Sequence, residues 1–158
     1  MTHARFDSVS SPESSNPNHP TALVPTVLVV DDEPDVLRLI QSILTEDGFE
    51  VVSAKSADAA IKAFEQLGRR PDLLLTDVVM PGMSGPMLVD HLLQVEPELR
   101  VLFMSGYDDR QVVQRYVVER GFRLISKPFT IKALRAAIKA VIKVPEKLGQ
   151  DTKKGPTD

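Results

Sequence analysis

Residues 27–32 have the sequence Val-Leu-Val-Val-Asp-Asp, in which four apolar residues are followed at once by two acids. Three later runs are likewise followed directly by a residue with a reactive or charged side chain: 73–76 by Asp77, 101–104 by Ser105 and 124–126 by Lys127. Short apolar runs that alternate with helical patterns are typical of βαβ units and predict a parallel sheet. Because ligands of such sheets bind outside the carboxyl ends of the strands, we expect these residues to converge on one site.

The predicted site brings together three carboxylates, those of Asp31, Asp32 and Asp77. Like charges held this close repel one another unless a cation joins them. The sequence has no cysteine, which excludes disulfides, thiol catalysis and thiolate ligands, so metal ligands must be oxygen or nitrogen atoms. The residues therefore predict a site for a divalent metal.

Length and composition allow one folded domain: the chain has 158 residues, 42% of them hydrophobic, and a formal charge of −3. Its apolar stretches are far too short to span a membrane, and the N-terminus lacks the apolar core of a secretory signal. It also lacks the clustered Lys and Arg residues that phosphate contacts would require. We therefore expect a soluble, cytoplasmic protein without membrane insertion or direct nucleic-acid binding.

Two polar tails flank the predicted domain. Residues 1–25 are rich in Ser, Pro and Asn, and residues 145–158 offer little to bury, so both are predicted to be disordered around a folded domain at 26–144. Within that domain five strand–helix repeats are expected from the spacing of apolar residues. Their helix boundary signals are Pro34 and Gly48 for helix one, Gly68 after helix two, the 81–85 loop before helix three, Gly121 after a helix four at about 109–120, and Thr130 as the N-cap of the last helix.

Each candidate site residue also has a structural explanation. Asp31 and Asp32 could cap helix one, and the sequence alone gives that explanation even weight. Lys127 alone would be a solvated lysine, but the proline after it predicts a restricted peptide bond, open to the cis form, that would aim its ammonium. Ser105 could be a turn hydroxyl. Asp77, directly after a fully apolar strand, has no such explanation and is interpreted as functional.

Together these motifs resemble the receiver domain of response regulators, the family of two-component signalling. The resemblance covers about residues 26–143 and depends on four motifs in order: Val-Val-Asp-Asp-Glu at 29–33, Asp77 with Met-Pro-Gly-Met-Ser-Gly at 80–85, Met-Ser-Gly at 104–106, and Lys-Pro-Phe at 127–129. It implies a flavodoxin-like three-layer α/β sandwich whose five-stranded parallel sheet has the order 2-1-3-4-5. The amino-acid sequences of these motifs are similar to those in receivers of hybrid sensor kinases, which implies a place in a phosphorelay.

By this resemblance Asp77 is the phosphoacceptor, and its donor is a sensor histidine kinase or a histidine phosphotransfer protein. Lys127 would pair with the transferred group, and Ser105 would donate a hydrogen bond to it. The resemblance implies Mg²⁺ as the metal, with four ligand residues: the side chains of Asp32 and Asp77, the backbone carbonyl of Val79, and Asp31 through water. Such a protein is not an enzyme beyond its own phosphorylation and dephosphorylation.

The family's output surface is formed by helix four, strand five and helix five, and here the sequence departs from the pattern. Many relatives have an aromatic switch residue three positions before the lysine, where this chain has Leu124, with Phe122 offset. The output surface could then respond through Ser105 alone. Val79 and Tyr107, two positions after the acceptor and the serine, cannot orient a hydrolytic water, so a long-lived phosphorylated state is expected.

Three other functions compete with this interpretation. An aspartyl-phosphate phosphatase of haloacid-dehalogenase type needs an Asp-x-Asp motif after strand one, where this chain has adjacent acids. A nucleotide-binding module would need a glycine-rich loop, which does not follow strand one. A pseudo-receiver scaffold would bind partners without phosphorylation, although all five site side chains are present. The sequence identifies neither the kinase nor the output.

Overall fold

The computed structural model describes residues 24–106, 111 and 113–142. The predicted tails, 1–25 and 145–158, lie outside the described residues apart from Val24 and Pro25, and the same is true of Tyr107. The domain boundaries therefore stay a prediction. Within the described part of the chain, no helix is both long and apolar enough to cross a membrane.

Strands and helices alternate along the described chain. The strands are β1 (Thr26–Val30), β2 (Glu50–Ala54), β3 (Leu73–Asp77), β4 (Val101–Ser105) and β5 (Arg123–Ser126). The helices are α1 (Pro34–Glu46), α2 (Ala57–Leu67), α3 (Gly85–Val95), a π-helical segment that we label α4 (Val113–Val118), and α5 (Ile131–Ile142). The bounds of β1, β3, β4 and β5 lie within one residue of the four runs from which strands were predicted.

The five strands form one parallel sheet with the order β2-β1-β3-β4-β5, as predicted. Apolar side chains of α2, α3 and α4 cover one face of the sheet, and those of α1 and α5 cover the other. Strands β1, β3 and β4 are buried along their whole length, because a central parallel strand has helices on both sides. The result is the three-layer sandwich that the sequence predicted.

The helix boundaries follow the predicted chemistry. Pro34 begins α1, and Gly68 ends α2 in the left-handed conformation, with φ of 69°. The hydroxyl of Thr130 accepts a hydrogen bond from the amide of Ala133 at 2.9 Å, which is the N-cap expected for α5. The hydroxyl of Ser84 accepts one from the amide of Met87 at 3.3 Å and so begins α3.

The fourth helix differs from the prediction. A regular helix at about 109–120 was expected, whereas the described segment Val113–Val118 is π-helical. One of its wide turns is the bond from the amide of Glu119 to the carbonyl of Gln114 at 3.3 Å, which spans five residues. The bond from the amide of Phe122 to the carbonyl of Val117 at 2.9 Å belongs to the helix end at Gly121. Valine is a weak helix former, and a spacing of apolar residues does not distinguish wide turns from regular ones. The predicted end at Gly121 is confirmed, with φ of 82°.

Candidate acidic site at the carboxyl ends of the strands

Two neighbouring strands, β1 and β3, deliver the acids to one edge of the sheet. Val30 pairs with Thr76 in the register, so that Asp31 and Asp77 are the next residues of adjacent strands. Asp31 is fully buried, Asp77 is 6% exposed and Asp32 is half-buried. Carboxylate oxygens of the three residues lie within 4.8 Å of one another. The structure thus brings together the three acids that the sequence placed at one site.

Lys127 enters the same site from the end of β5. Its Nζ lies 2.8 Å from Oδ2 of Asp31 and 3.0 Å from Oδ2 of Asp77. A third carboxylate, that of Glu33, lies 3.5 Å from the ammonium. The peptide bond between Lys127 and Pro128 is cis. Sequence reasoning missed Glu33, although its position next to two candidate ligands was a signal that could have suggested it.

The two carboxylate oxygens of Asp31 make different contacts. Its Oδ1 accepts a hydrogen bond from the amide of Glu33 at 2.9 Å, and Glu33 is the N-cap residue of α1 without a side-chain cap of its own. Asp31 therefore holds the turn before α1 but does not cap the helix, and the capping alternative is wrong for this residue. Its Oδ2 is buried and pairs with the Lys127 ammonium at 2.8 Å. This contact is important because a buried acceptor without a partner is costly.

The pKa of Asp77 reflects this crowding. It rises from 3.8 to about 6: burial is the main cause, the contact with Lys127 opposes the rise, and the charges of Asp31 and Asp32 add to it. For Lys127, burial lowers the pKa, but the adjacent Asp31 and Asp77 more than offset this and raise it above its ordinary value. At neutral pH the site therefore holds a charged lysine and a carboxylate whose charge the fold disfavours.

Two other predicted residues are Ser105, at the end of the strand between β3 and β5, and Val79, two positions after Asp77. Ser105 ends β4 and is 6% exposed, and its carbonyl accepts the amide of Lys127 at 2.8 Å, which ties the ends of β4 and β5 together. Val79 lies in the loop after β3, and 51% of its surface is exposed. The contacts given by the structure join Asp31, Asp77 and Lys127 through side chains and Ser105 through its backbone.

The donor set fits a hard divalent cation. The side chains paired with the Lys127 ammonium are carboxylates, and carboxylate oxygens with retained waters are the ligands that Mg²⁺ prefers. A cation would give a further partner to carboxylates that otherwise share one ammonium. The residues therefore fit the metal that the sequence implied.

A second charged cluster, which we call the Asp90 cluster, lies between α3 and α4. The hydroxyl of Tyr116 donates to Oδ1 of Asp90 at 2.6 Å, and the guanidinium of Arg120 donates to the same oxygen at 3.1 Å. Arg120 also lies 4.4 Å above the Tyr116 ring. The hydrogen bond from Tyr116 lowers the pKa of Asp90, with the guanidinium contributing in the same direction.

Phe122 belongs to the aromatic packing beneath that cluster. Its ring stacks on Tyr116 at 5.8 Å with an interplanar angle of 6°, and it meets the edge of Phe103 at 5.5 Å. Leu124, the residue at the aromatic switch position of many relatives, packs against the same apolar cluster of the sheet. The aromatic side chain nearest to the switch position is therefore part of a packed stack.

Comparison with known proteins gives one consistent family. A family model described as the response regulator receiver domain matches residues 27–139. The sensor kinase CckA of Brucella abortus is 33% identical over 117 residues, which are 74% of this chain and 12% of that protein. The response regulator receiver protein CpdR of the same organism is 30% identical over 109 residues, 68% of this chain and 88% of CpdR. The chain thus spans a small part of one relative and most of the other.

The solved structures agree in fold. The crystal structure of the receiver domain of NtrX from Brucella abortus has a TM-score of 0.67 and 31% identity, and the match covers 75% of this chain and 98% of that domain. A response regulator receiver domain protein from Clostridium thermocellum has a TM-score of 0.69 and 28% identity, with 75% and 94% covered. The residues matched by the family model, 27–139, include the carboxyl ends of all five strands.

Proposed function

The chain belongs to the family of response regulator receiver domains of two-component systems, and we propose that Asp77 accepts a phosphoryl group from a phosphohistidine on a partner protein. The observation that carries the proposal is the Asp77 carboxylate, held 3.0 Å from the Lys127 ammonium beside two further carboxylates. The partner is a sensor histidine kinase or a histidine phosphotransfer protein. Since such a donor obtains its phosphate from ATP, the proposal includes a cytoplasmic location.

Asp77 is the nucleophile and requires no general base. Even with its pKa raised to about 6, its carboxyl is largely deprotonated at neutral pH. A bond forms between a carboxylate oxygen and phosphorus while the bond from phosphorus to the imidazole nitrogen breaks, and the electron pair returns to that nitrogen. Transfers of this kind depend mainly on positioning and charge neutralisation.

Lys127 and Ser105 supply part of that neutralisation. The ammonium already contacts Asp77, and its raised pKa keeps it charged while a phosphoryl group arrives. It can move from the carboxylate to the new phosphoryl oxygens, since both are anionic acceptors. The hydroxyl of Ser105, at the end of the adjacent strand, is the proposed hydrogen-bond donor to the same group.

Asp31, Asp32, Asp77 and the backbone carbonyl of Val79 would hold Mg²⁺, with Asp31 acting through water. When bound, the cation neutralises charge that develops on the phosphoryl oxygens. Counted formally, the divalent cation and Lys127 balance the three aspartates before a phosphoryl group arrives. The added phosphoryl charge then perturbs Ser105 and Lys127, whose backbones are joined, and the surface of α4, β5 and α5 is the proposed output face.

The receiver assignment leaves two alternatives with less support. The family match gives no support to a phosphatase of haloacid-dehalogenase type. A pseudo-receiver that is never phosphorylated remains the alternative within the family, and nothing in the geometry of the acidic site favours it, since acceptor, lysine and acids are all in contact.

The test is phosphorylation by acetyl phosphate with Mg²⁺, followed by intact-mass analysis. Wild type is expected to gain the mass of one phosphoryl group, and Asp77→Asn is expected to gain none. Asp90→Asn is the matched control, since it removes a carboxylate that also lies beside a basic residue but outside the site. Absence of the adduct in wild type, or its persistence in Asp77→Asn, would overturn the proposal.

A further inference from the structure

The first residue of α3 touches the backbone of the proposed phosphoacceptor. Gly85 is buried, and a Cβ built on it would lie 2.1 Å from the carbonyl oxygen of Asp77, 3.1 Å from its carbonyl carbon and 3.1 Å from Cα of Val78. All three atoms belong to the main chain, so that no flexible side chain can move aside. Only glycine lets α3 begin at this distance from Asp77.

The conformation of Gly85 does not explain the glycine. Gly48, Gly68, Gly82 and Gly121 have positive φ angles and open space where a Cβ would lie, whereas Gly85 has a collision there and no positive φ. Alanine is the better helix former, and at a helical position with free space it would be favoured over glycine. The glycine is therefore required by the contact with Asp77.

The same peptide segment is held by other groups. The hydroxyl of Thr76, which is fully buried, donates to the carbonyl oxygen of Asp77 at 3.0 Å. The amide of Gly85 donates to the carbonyl of Val78 at 2.9 Å, and the amide of Val78 donates to the carbonyl of Met104 at 2.9 Å. The backbone from Asp77 to Val78 is therefore fixed by β4 on one side and by α3 on the other.

We propose that Gly85 and Thr76 are positioning residues for the phosphoacceptor site. This inference rests on the proposed function. The start of α3 packs directly against the Asp77–Val78 peptide, and this contact sets where the Asp77 carboxylate and the Val79 carbonyl can hold a cation. Groups that orient metal ligands typically change metal affinity by about 10- to 100-fold when they are altered. A displacement of about 1 Å at a reacting group can slow transfer by about 100-fold.

The first experiment compares Gly85→Ala with Gly68→Ala in the full chain. Gly68 has φ of 69° and nothing within 4 Å of the position that a Cβ would take, so its substitution strains the end of α2 without any contact to the site. Gly85→Ala is expected to lower Mg²⁺ affinity in calorimetry by about tenfold or more and to shift the Asp77 and Val78 amide resonances without metal. Gly68→Ala should lose thermal stability but keep wild-type Mg²⁺ affinity.

A second pair keeps the test decisive if Gly85→Ala does not fold. Thr76→Val preserves shape and removes the hydroxyl that holds the Asp77 carbonyl, and Thr76→Ser restores a hydroxyl. Mg²⁺ affinity and the rate of phosphorylation by acetyl phosphate at saturating Mg²⁺ should fall severalfold in Thr76→Val and recover in Thr76→Ser. The proposal is overturned if a folded Gly85→Ala, or Thr76→Val where the former does not fold, binds Mg²⁺ like wild type.

If the proposed function itself is wrong, the experiments give a different set of results. In that case wild type gains no phosphoryl group, whatever residue stands at position 85. The amide chemical shifts of Asp77 and Val78 in the metal-free variants would still report whether α3 packs against this peptide.

Discussion

Asp77 and Asp90 each lie beside one basic side chain, at 3.0 Å from Lys127 and 3.1 Å from Arg120, yet their pKa values move in opposite directions. The pKa of Asp77 rises to about 6 and that of Asp90 falls. In the acidic site several carboxylates share one ammonium away from water. In the Asp90 cluster one largely exposed carboxylate accepts bonds from two donors. Distance to a basic group is therefore a poor guide to its effect unless competing acids and burial are counted.

The difference also separates a functional arrangement from a structural one. A buried group of like charges lowers stability unless something binds it, and this is typical of sites built for a ligand. The Asp90 cluster has its hydrogen bonds made within the chain and needs no ligand. The two regions should consequently respond differently to substitution, pH and Mg²⁺.

Removing the basic partner should give the largest contrast. Lys127→Ala leaves buried carboxylates without their cation and is expected to lower the free energy of unfolding by about 3–5 kcal/mol without metal. Mg²⁺ should restore part of that loss. Arg120→Ala, at an exposed pair, should cost about 1 kcal/mol with no dependence on Mg²⁺. Denaturant unfolding with and without Mg²⁺ measures both, and similar losses in the two variants would contradict the distinction.

The pH dependence of stability should carry the sign of the Asp77 shift. Because the folded state binds this proton more tightly than the unfolded chain, the metal-free protein loses stability as pH rises from about 4 to about 6. The penalty is on the order of 3 kcal/mol at neutral pH. Asp77→Asn should then be more stable than wild type at neutral pH, and the difference should shrink towards pH 4. Unfolding curves at several pH values test this, and a wild type that is the more stable at neutral pH would contradict it.

Removing one acid from each region should produce effects of opposite sign. Asp32→Ala relieves crowding, so that the metal-free protein should be as stable or more stable, by about 1 kcal/mol, while Mg²⁺ binding is lost. Asp90→Ala should instead be slightly less stable, because it strips two donors of their acceptor. Thermal melts without Mg²⁺ compare the two. A fall of several degrees for Asp32→Ala would mean that this residue mainly supports the start of α1.

The smallest effect is expected from the Tyr116 hydroxyl. Tyr116→Phe keeps the aromatic stack and removes one hydrogen bond to a largely exposed carboxylate, so the loss should be about 0.5–1 kcal/mol. The pKa of Asp90, followed by NMR titration, should rise towards its ordinary value, since the hydroxyl is the main cause of the depression. Mg²⁺ affinity should not change. A measurable change in Mg²⁺ affinity would show that the two regions are coupled.

The sequence predicted the sheet and the convergence of Asp31, Asp77 and Lys127, because charged residues directly after buried strands have one edge at which to meet. It did not predict the contact of Glu33 with Lys127, which depends on how the chain enters α1. Nor did it predict the wide turns of α4, since valines at similar spacing suit either kind of helix. The tight approach of Gly85 to Asp77 depends on the placement of α3, which no local pattern specifies.

The order of the strands has a consequence for how the protein can associate. It leaves β2 and β5 at the edges of the sheet, where unpaired amides and carbonyls could add a strand from another chain. Both edge strands are short and begin with an exposed charged residue, Glu50 in β2 and Arg123 in β5. Short, charged edges disfavour strand addition and aggregation. Association with a partner is therefore expected to use side chains on the helices and loops, leaving the sheet with its own five strands.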